Sequence, residues 1–258
     1  MTISQFIRII TRPGTLLNGR HIFLLSHMRA NTSLFGHILG SNPEINGYYE
    51  LHIGYYSWKS LFRQKLKLLE HHAVKKGSRF FFDKVLHNGH HVNCSLLKDN
   101  PRTRVIISLR PPEQTIPSIL KLYRTADPEN ACATPAGACD YYVSRLAQLE
   151  TYAASLEGGF IYLDADAMIK RTKETFHLLE TELGLLHPLS PTYSVQRMTG
   201  KKFAGDNSDS LKSGRIQHRE KNYPDLFDTR AQKSGITAAF ETARASIISR
   251  SKQYLAAG

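Results

Sequence analysis

The chain has 258 residues, 41% of them apolar and 22% charged, which suits one large α/β domain and leaves little room for two. No apolar run approaches the roughly 20 residues that span a bilayer, and Arg8, Arg12 and Arg20 near the start, with no small-residue cleavage site, argue against a secretory leader. The net charge of +12 implies an anionic partner, which could be nucleic acid, an anionic membrane or a polyphosphorylated cofactor.

The five-residue apolar segment 6–10 is too short to span and is expected to pack on the domain, leaving peripheral membrane contact open. Residues 22–26 then form a continuous apolar run, the pattern of a strand buried on both faces. A helix follows over 32–40, with Leu34, Phe35, Ile38 and Leu39 on one face. Residues 46–50 read as a second strand. The periodicity of 57–72 predicts a helix with Trp58, Leu61, Phe62, Leu68 and Leu69 inward and Lys59, Arg63 and Lys67 on a solvated face. Residues 79–84, 105–110 and 160–164 read as further strands. They alternate with helices over 112–123, where Pro117 suggests a kink, and over 140–156 and 166–183. Residues 190–222 are polar, basic and turn-rich, the pattern of a long loop or lid, and a last helix is expected over 236–254. Alternation of this kind predicts one domain over 1–258, a three-layer αβα fold around a mainly parallel sheet of about five strands. Cys94, Cys132 and Cys139 are odd in number and irregularly spaced, which suits a reducing, cytoplasmic setting.

Ligands of parallel sheets bind beyond the carboxyl ends of the strands, so the residues there carry the information. The first strand runs into His27-Met28-Arg29-Ala30-Asn31 and a helix opening in Thr32-Ser33. This gathers backbone N–H groups, two hydroxyls and the positive end of a helix around an anion. Asn31 stands where a left-handed residue is wanted, and Arg29 offers a forked cation to phosphate oxygens. An ordinary helix cap also accounts for Thr32 and Ser33. The lysine and both glycines of GxxxxGK[ST] are missing.

Arg29, Thr32, Ser33 and Leu34, followed by Pro43, Glu44 and Ile45, resemble the opening of sulfotransferases, whose 5′-phosphosulfate loop reads approximately Pro-Arg-Ser-Gly-Thr-Thr/Ser-Leu. Met28 replaces the proline and Asn31 the glycine. The strand 105–110, ending in Arg110 and followed by Ser118, resembles the family's second signature, which binds a 3′-phosphate. Two weaker echoes are the strand 160–164 with Asp166, where helix capping explains the aspartates equally well, and the late basic loop with Lys201, Lys202 and Gly205, which also reads as a solvated loop. The resemblance implies a P-loop-like sulfotransferase fold. It also implies the donor 3′-phosphoadenosine 5′-phosphosulfate, released as adenosine 3′,5′-bisphosphate, with no metal. Arg29 and Lys84 would hold charge on the leaving phosphate. Glu50 is the first choice of base, with His52 and His87 as rivals. His71-His72 and His90-His91 are adjacent pairs facing opposite ways, so no metal-ligand cluster is expected. The acceptor is open to a hydroxyl of a small molecule, a glycolipid or a glycan, and Tyr48, Tyr49, Tyr55, Tyr56 and Trp58 form either its wall or part of the core. A P-loop-type small-molecule kinase is the nearest alternative. A basic nucleic-acid-binding protein is disfavoured because the arginines fall at strand ends.

Overall fold

The computed structural model describes residues 13–196, 199, 209–218, 227 and 230–257. Six strands, β1 (Arg20–Leu25), β2 (Ile45–Asn46), β3 (Phe80–Val85), β4 (Thr103–Leu109), β5 (Phe160–Asp164) and β6 (Gln253–Leu255), form one sheet in the order β2-β3-β1-β4-β5-β6. Every pairing is parallel. The helices are α1 (Pro13–Asn18), α2 (Thr32–Ser41), α3 (Trp58–His71), α4 (Pro112–Ala126), α5 (Pro135–Ser155), α6 (Ala167–Lys170), α7 (Thr172–Leu183), α8 (Asp209–Lys212) and α9 (Arg230–Arg250).

Alternation along the strands divides the core into two layers. Phe23 and Leu25 of β1, Phe81 of β3, and Val105 and Ile107 of β4 pack with Leu68 and Leu69 of α3, Ile116 of α4, Leu146 of α5 and Phe240 of α9. Ile22, Leu24, Phe80, Phe82 and Ile106 face the other way, onto Phe35 and Ile38 of α2, Met168 of α6 and Leu179 of α7. The expected three-layer fold is therefore present, and its central β1 has β3 on one side and β4 on the other.

Five local expectations change. The second strand ends at Asn46, because Gly47 takes a φ of +94° and turns the chain out of the sheet, with Phe82 O only 2.6 Å from where a Cβ would stand. Tyr48 then crosses the small surface of α2, and a Cβ at Gly40 would meet Gly47 O at 2.7 Å. The last helix stops at Arg250 and the chain adds β6 at the sheet edge. The helix expected over 166–183 breaks at Arg171, between α6 and α7. α4 runs unbroken through Pro117. Trp58 and Phe62 are exposed, while Gln64, Lys65, Leu68 and Leu69 further along α3 are buried. Periodicity marked the right row, but the first turn of that row reaches past the core.

The strand ends are tied together by α5. Arg145, fully buried, donates from Nε to Ser26 O at 2.8 Å, from Nη2 to Val85 O at 2.6 Å and from Nη1 to Asn88 Oδ1 at 3.0 Å. The first two acceptors lie just past β1 and at the end of β3. Tyr141 Oη receives Met28 N–H at 2.7 Å and donates to Leu86 O at 2.8 Å. Tyr142 Oη donates to Arg110 O at 2.7 Å. Arg145→Met keeps most of the volume but removes the side-chain donors from Ser26 O, Val85 O and Asn88 Oδ1, so stability should fall by about 2 kcal/mol or more. Arg145→Lys, which lacks the fork, should not restore it. Urea denaturation of the three proteins checks this, and an undiminished midpoint for Arg145→Met would refute it.

Candidate anion-binding and proton-transfer site

Between β1 and α2 the backbone turns twice through left-handed conformations that non-glycine residues rarely adopt, Arg29 at φ 63° and Asn31 at φ 54°. Asn31 takes the conformation expected of it; Arg29 was not foreseen. Side chains hold both in place. Asn31 Nδ2 donates to Asp166 Oδ1 at 2.8 Å and Ala165 O at 3.3 Å, and Arg110 Nη1 donates to Arg29 O at 3.1 Å. Thr32 and Ser33 then open α2, so the loop N–H groups and the helix dipole face one region.

The two motifs meet there. Arg29 Nε donates to Ser118 Oγ at 2.8 Å, joining residues 89 positions apart. Arg110, at the end of β4, is buried; its Nε reaches Asp166 Oδ1 at 3.2 Å and its Nη2 reaches Gln114 Oε1 at 2.6 Å. Lys84, buried on β3 beside Leu24 of β1, brings its Nζ to 3.4 Å from Ser33 Oγ. Ala30 is buried within the loop. Parallel pairing of β3, β1 and β4 is what makes these residues converge. Asp166 does not cap the helix after it with its side chain; it accepts from Asn31 and Arg110 instead. Asp164 is held by two bonds from Arg244, each 2.8 Å.

The three rival bases lie together. Glu50 is not at a strand end, as the pattern implied, and β3 stands between β2 and β1. It sits in the loop that follows β2, and its Oε1 accepts from Leu86 N at 3.4 Å. His52 Nδ1 is 3.8 Å from Oε1 and His87 Nε2 is 3.9 Å from Oε2. His90, which the sequence pattern had set aside, joins them, with its ring 5.6 Å from that of His52. Glu50, His52 and His90 bring potential metal-ligating atoms within 4.8 Å of one another. This corrects the expectation that no such cluster would form: His90 and His91 do face opposite ways, but His90 finds partners from another loop. Burial lowers the pKa of His87 and of His90, against the pull of Glu50. The loop itself hangs on Asp83, whose carboxyl takes Tyr55 Oη at 2.5 Å and Leu51 N at 2.9 Å.

Lys201, Lys202 and Gly205 lie outside the described residues. The described flanks of that segment are joined by an antiparallel bridge between Thr192 and Arg215. A cavity of about 400 Å³, lined by residues such as Arg104, Glu182 and Lys252 at the amino ends of β4 and β5, contains none of the expected site residues.

The six-stranded, all-parallel sheet flanked by helices on both faces defines a three-layer α/β fold. The chain matches no family model and no curated protein. Among solved structures it resembles the sulfotransferase domain from the curacin biosynthetic pathway, with a TM-score of 0.52 and 17% identity, over 86% of this chain and 97% of that one. It also resembles sulfotransferase STF1 from Mycobacterium tuberculosis H37Rv, with a TM-score of 0.52 and 14% identity, over 92% and 81% of the two chains. The shared feature is the sulfotransferase-like fold. Among the described residues no helix is long and apolar enough to cross a membrane.

Buried titrating groups give the fold a pH dependence. Burial lowers the pKa of His27 to about 4, and that of His21 to about 4 as well. Neutral His27 accepts Arg110 N–H at Nε2 (3.0 Å) and bonds Met28 O through Nδ1 (2.9 Å). Both folded values lie below the ordinary 6.5, so the unfolded chain takes up protons first. The stability these two contribute is whole above pH 6.5 and declines as pH falls towards 4. Asp83, pushed up to about 8 by burial, acts in the opposite sense, since the folded state holds a proton the unfolded chain releases. Two imidazoles outweigh one carboxyl, so the melting temperature should drop between pH 6.5 and 4, more steeply in Asp83→Asn. A flat profile would contradict the buried, neutral histidines.

Proposed function

We propose that the protein transfers a sulfuryl group from 3′-phosphoadenosine 5′-phosphosulfate to a hydroxyl on a small-molecule, glycolipid or glycan acceptor. The observation that carries this reading is the Arg29–Ser118 bond, through which the 5′-phosphosulfate loop and the 3′-phosphate motif become one surface. On this reading the acceptor oxygen attacks sulfur and the bridging S–O bond to the 5′-phosphate breaks. Arg29, Lys84 and the amino end of α2 stabilise the charge left on the nucleotide. Arg110 and Ser118 serve the 3′-phosphate, with Lys201, Lys202 and Gly205 as further candidates for it. Glu50 takes the acceptor proton, with His52 and His87 beside it to pass the proton on.

Adenosine 3′,5′-bisphosphate at one hundred times its dissociation constant should stabilise the fold by about 2.7 kcal/mol. ATP with magnesium, the ligand of the kinase alternative, should do less. Thermal shift reads both, and no response to millimolar bisphosphate at low salt would sink the proposal. Arg110→Ala should weaken bisphosphate binding by ~1.5–3 kcal/mol while slowing transfer less, because its partner is remote from sulfur.

Glu50→Gln keeps shape and loses the base, so turnover should fall by roughly 10²–10⁴-fold with nucleotide affinity retained. Near-normal turnover in Glu50→Gln, with loss in His87→Ala or His52→Ala, would move the role of base to the histidine.

A further inference from the structure

Three large apolar side chains stand exposed together: Tyr56 at 61%, Trp58 at 69% and Phe62 at 41%. Trp58 and Phe62 are one turn apart on α3, and exposed Lys59 and Arg63 form the adjacent row, also one turn apart. The other cations of the helix are engaged elsewhere. Lys65 turns inward to Leu16 O at 2.6 Å, and Lys67 pairs with Glu70, the only acid of α3, at 3.2 Å. Lys59 occupies the first turn, where the helix dipole disfavours a cation and α3 has no acid. Helix stability therefore does not account for it. Its Nζ lies 6.0 Å from the Trp58 ring.

The patch is the outer side of the wall that bears the proton-transfer cluster. Tyr55 forms a parallel bridge with Val92, and Tyr55 N donates to His91 O at 2.8 Å. His90 faces His52, whereas its neighbour His91 stacks on Tyr56, rings 5.7 Å apart at 24°. Aromatic rings beside a row of cations match the boundary of an anionic bilayer, where rings settle at the headgroup level and cations meet lipid phosphates. A neutral partner protein would use the rings but gain nothing from the cations.

We propose that Tyr56, Trp58 and Phe62, with Lys59 and Arg63, dock the protein on an anionic lipid bilayer. That contact holds the Glu50 cluster at the membrane surface, and the acceptor hydroxyl belongs to a lipid-borne molecule; this last clause alone rests on the sulfuryl-transfer reading.

Trp58 is the chain's single tryptophan, so its fluorescence reports the contact without a label. The full chain is titrated with phosphatidylcholine vesicles, with and without phosphatidylglycerol, and with brominated lipid as quencher. Trp58 emission should shift to the blue and be quenched only when phosphatidylglycerol is present. Lys59→Gln/Arg63→Gln should weaken binding by roughly thirty-fold, and Phe62→Ala should weaken it further. Unchanged emission with anionic vesicles would overturn the proposal, as would binding that survives all three substitutions. A shift produced equally by a soluble anionic polysaccharide, with no lipid quenching, would assign the patch to a soluble polyanion instead. Bisphosphate binding in the same preparation separates the two readings. Intact nucleotide binding without vesicle binding removes the docking surface and leaves the transfer reaction standing. Vesicle binding without nucleotide binding keeps the surface and removes the lipid-borne acceptor.

Discussion

One buried guanidinium sets the geometry on which the site depends. Arg145 reaches from α5 into the core and takes the carbonyls of Ser26 and Val85, the points where the chain leaves β1 and β3. Those departures carry the Arg29 loop and the His87–His90 loop. A cation in such a place is costly to desolvate, and its fork repays that only because three oxygens are fixed around it. Tyr141 and Tyr142, on the same helix, tie Met28, Leu86 and Arg110 to the same frame. A helix on one face of the sheet thus fixes the ends of three adjacent strands.

β3 shows how little sequence separates two chemical roles. Lys84 and Asp83 are neighbours, so they point to opposite faces. Lys84 turns to Ser33 at the start of α2, while Asp83 holds Tyr55 and the backbone of Leu51. Burial pushes the pKa of the Asp83 carboxyl up, to about 8. The strand therefore sends a cation to the start of α2 and an anchor to the loop that bears Glu50.

Much of this was legible in the sequence. The continuous apolar runs marked β1, β3, β4 and β5, and the residues ending them were the ones that converge. Asn31 announced its own backbone conformation. β6 was hidden because Gln253-Tyr254-Leu255 is short and lies at the sheet edge, and so lacks the run that marks a buried strand. The overlong second strand came from apolar residues that are buried against α2 rather than in the sheet. Glu50, His52 and His87 could not be ranked because the fold puts all three in one place. His90 and Arg145 were missed for different reasons: His90 looked like half of a poor chelate, and no local pattern drew out Arg145. Their roles depend on loops brought together from distant parts of the chain, which no local pattern records.

The absence of side chains at Gly36 and Gly40 has a mechanical consequence. Backbone from Gly47 and Tyr48 lies directly against α2 at those two positions, closer than any Cβ would permit. Main chain on main chain leaves no compliant layer between them. The helix that presents Thr32 and Ser33 and the segment that leads to Glu50 therefore shift as one rigid piece. Any displacement of α2 is delivered to Glu50 over only two or three residues, without a hinge between them.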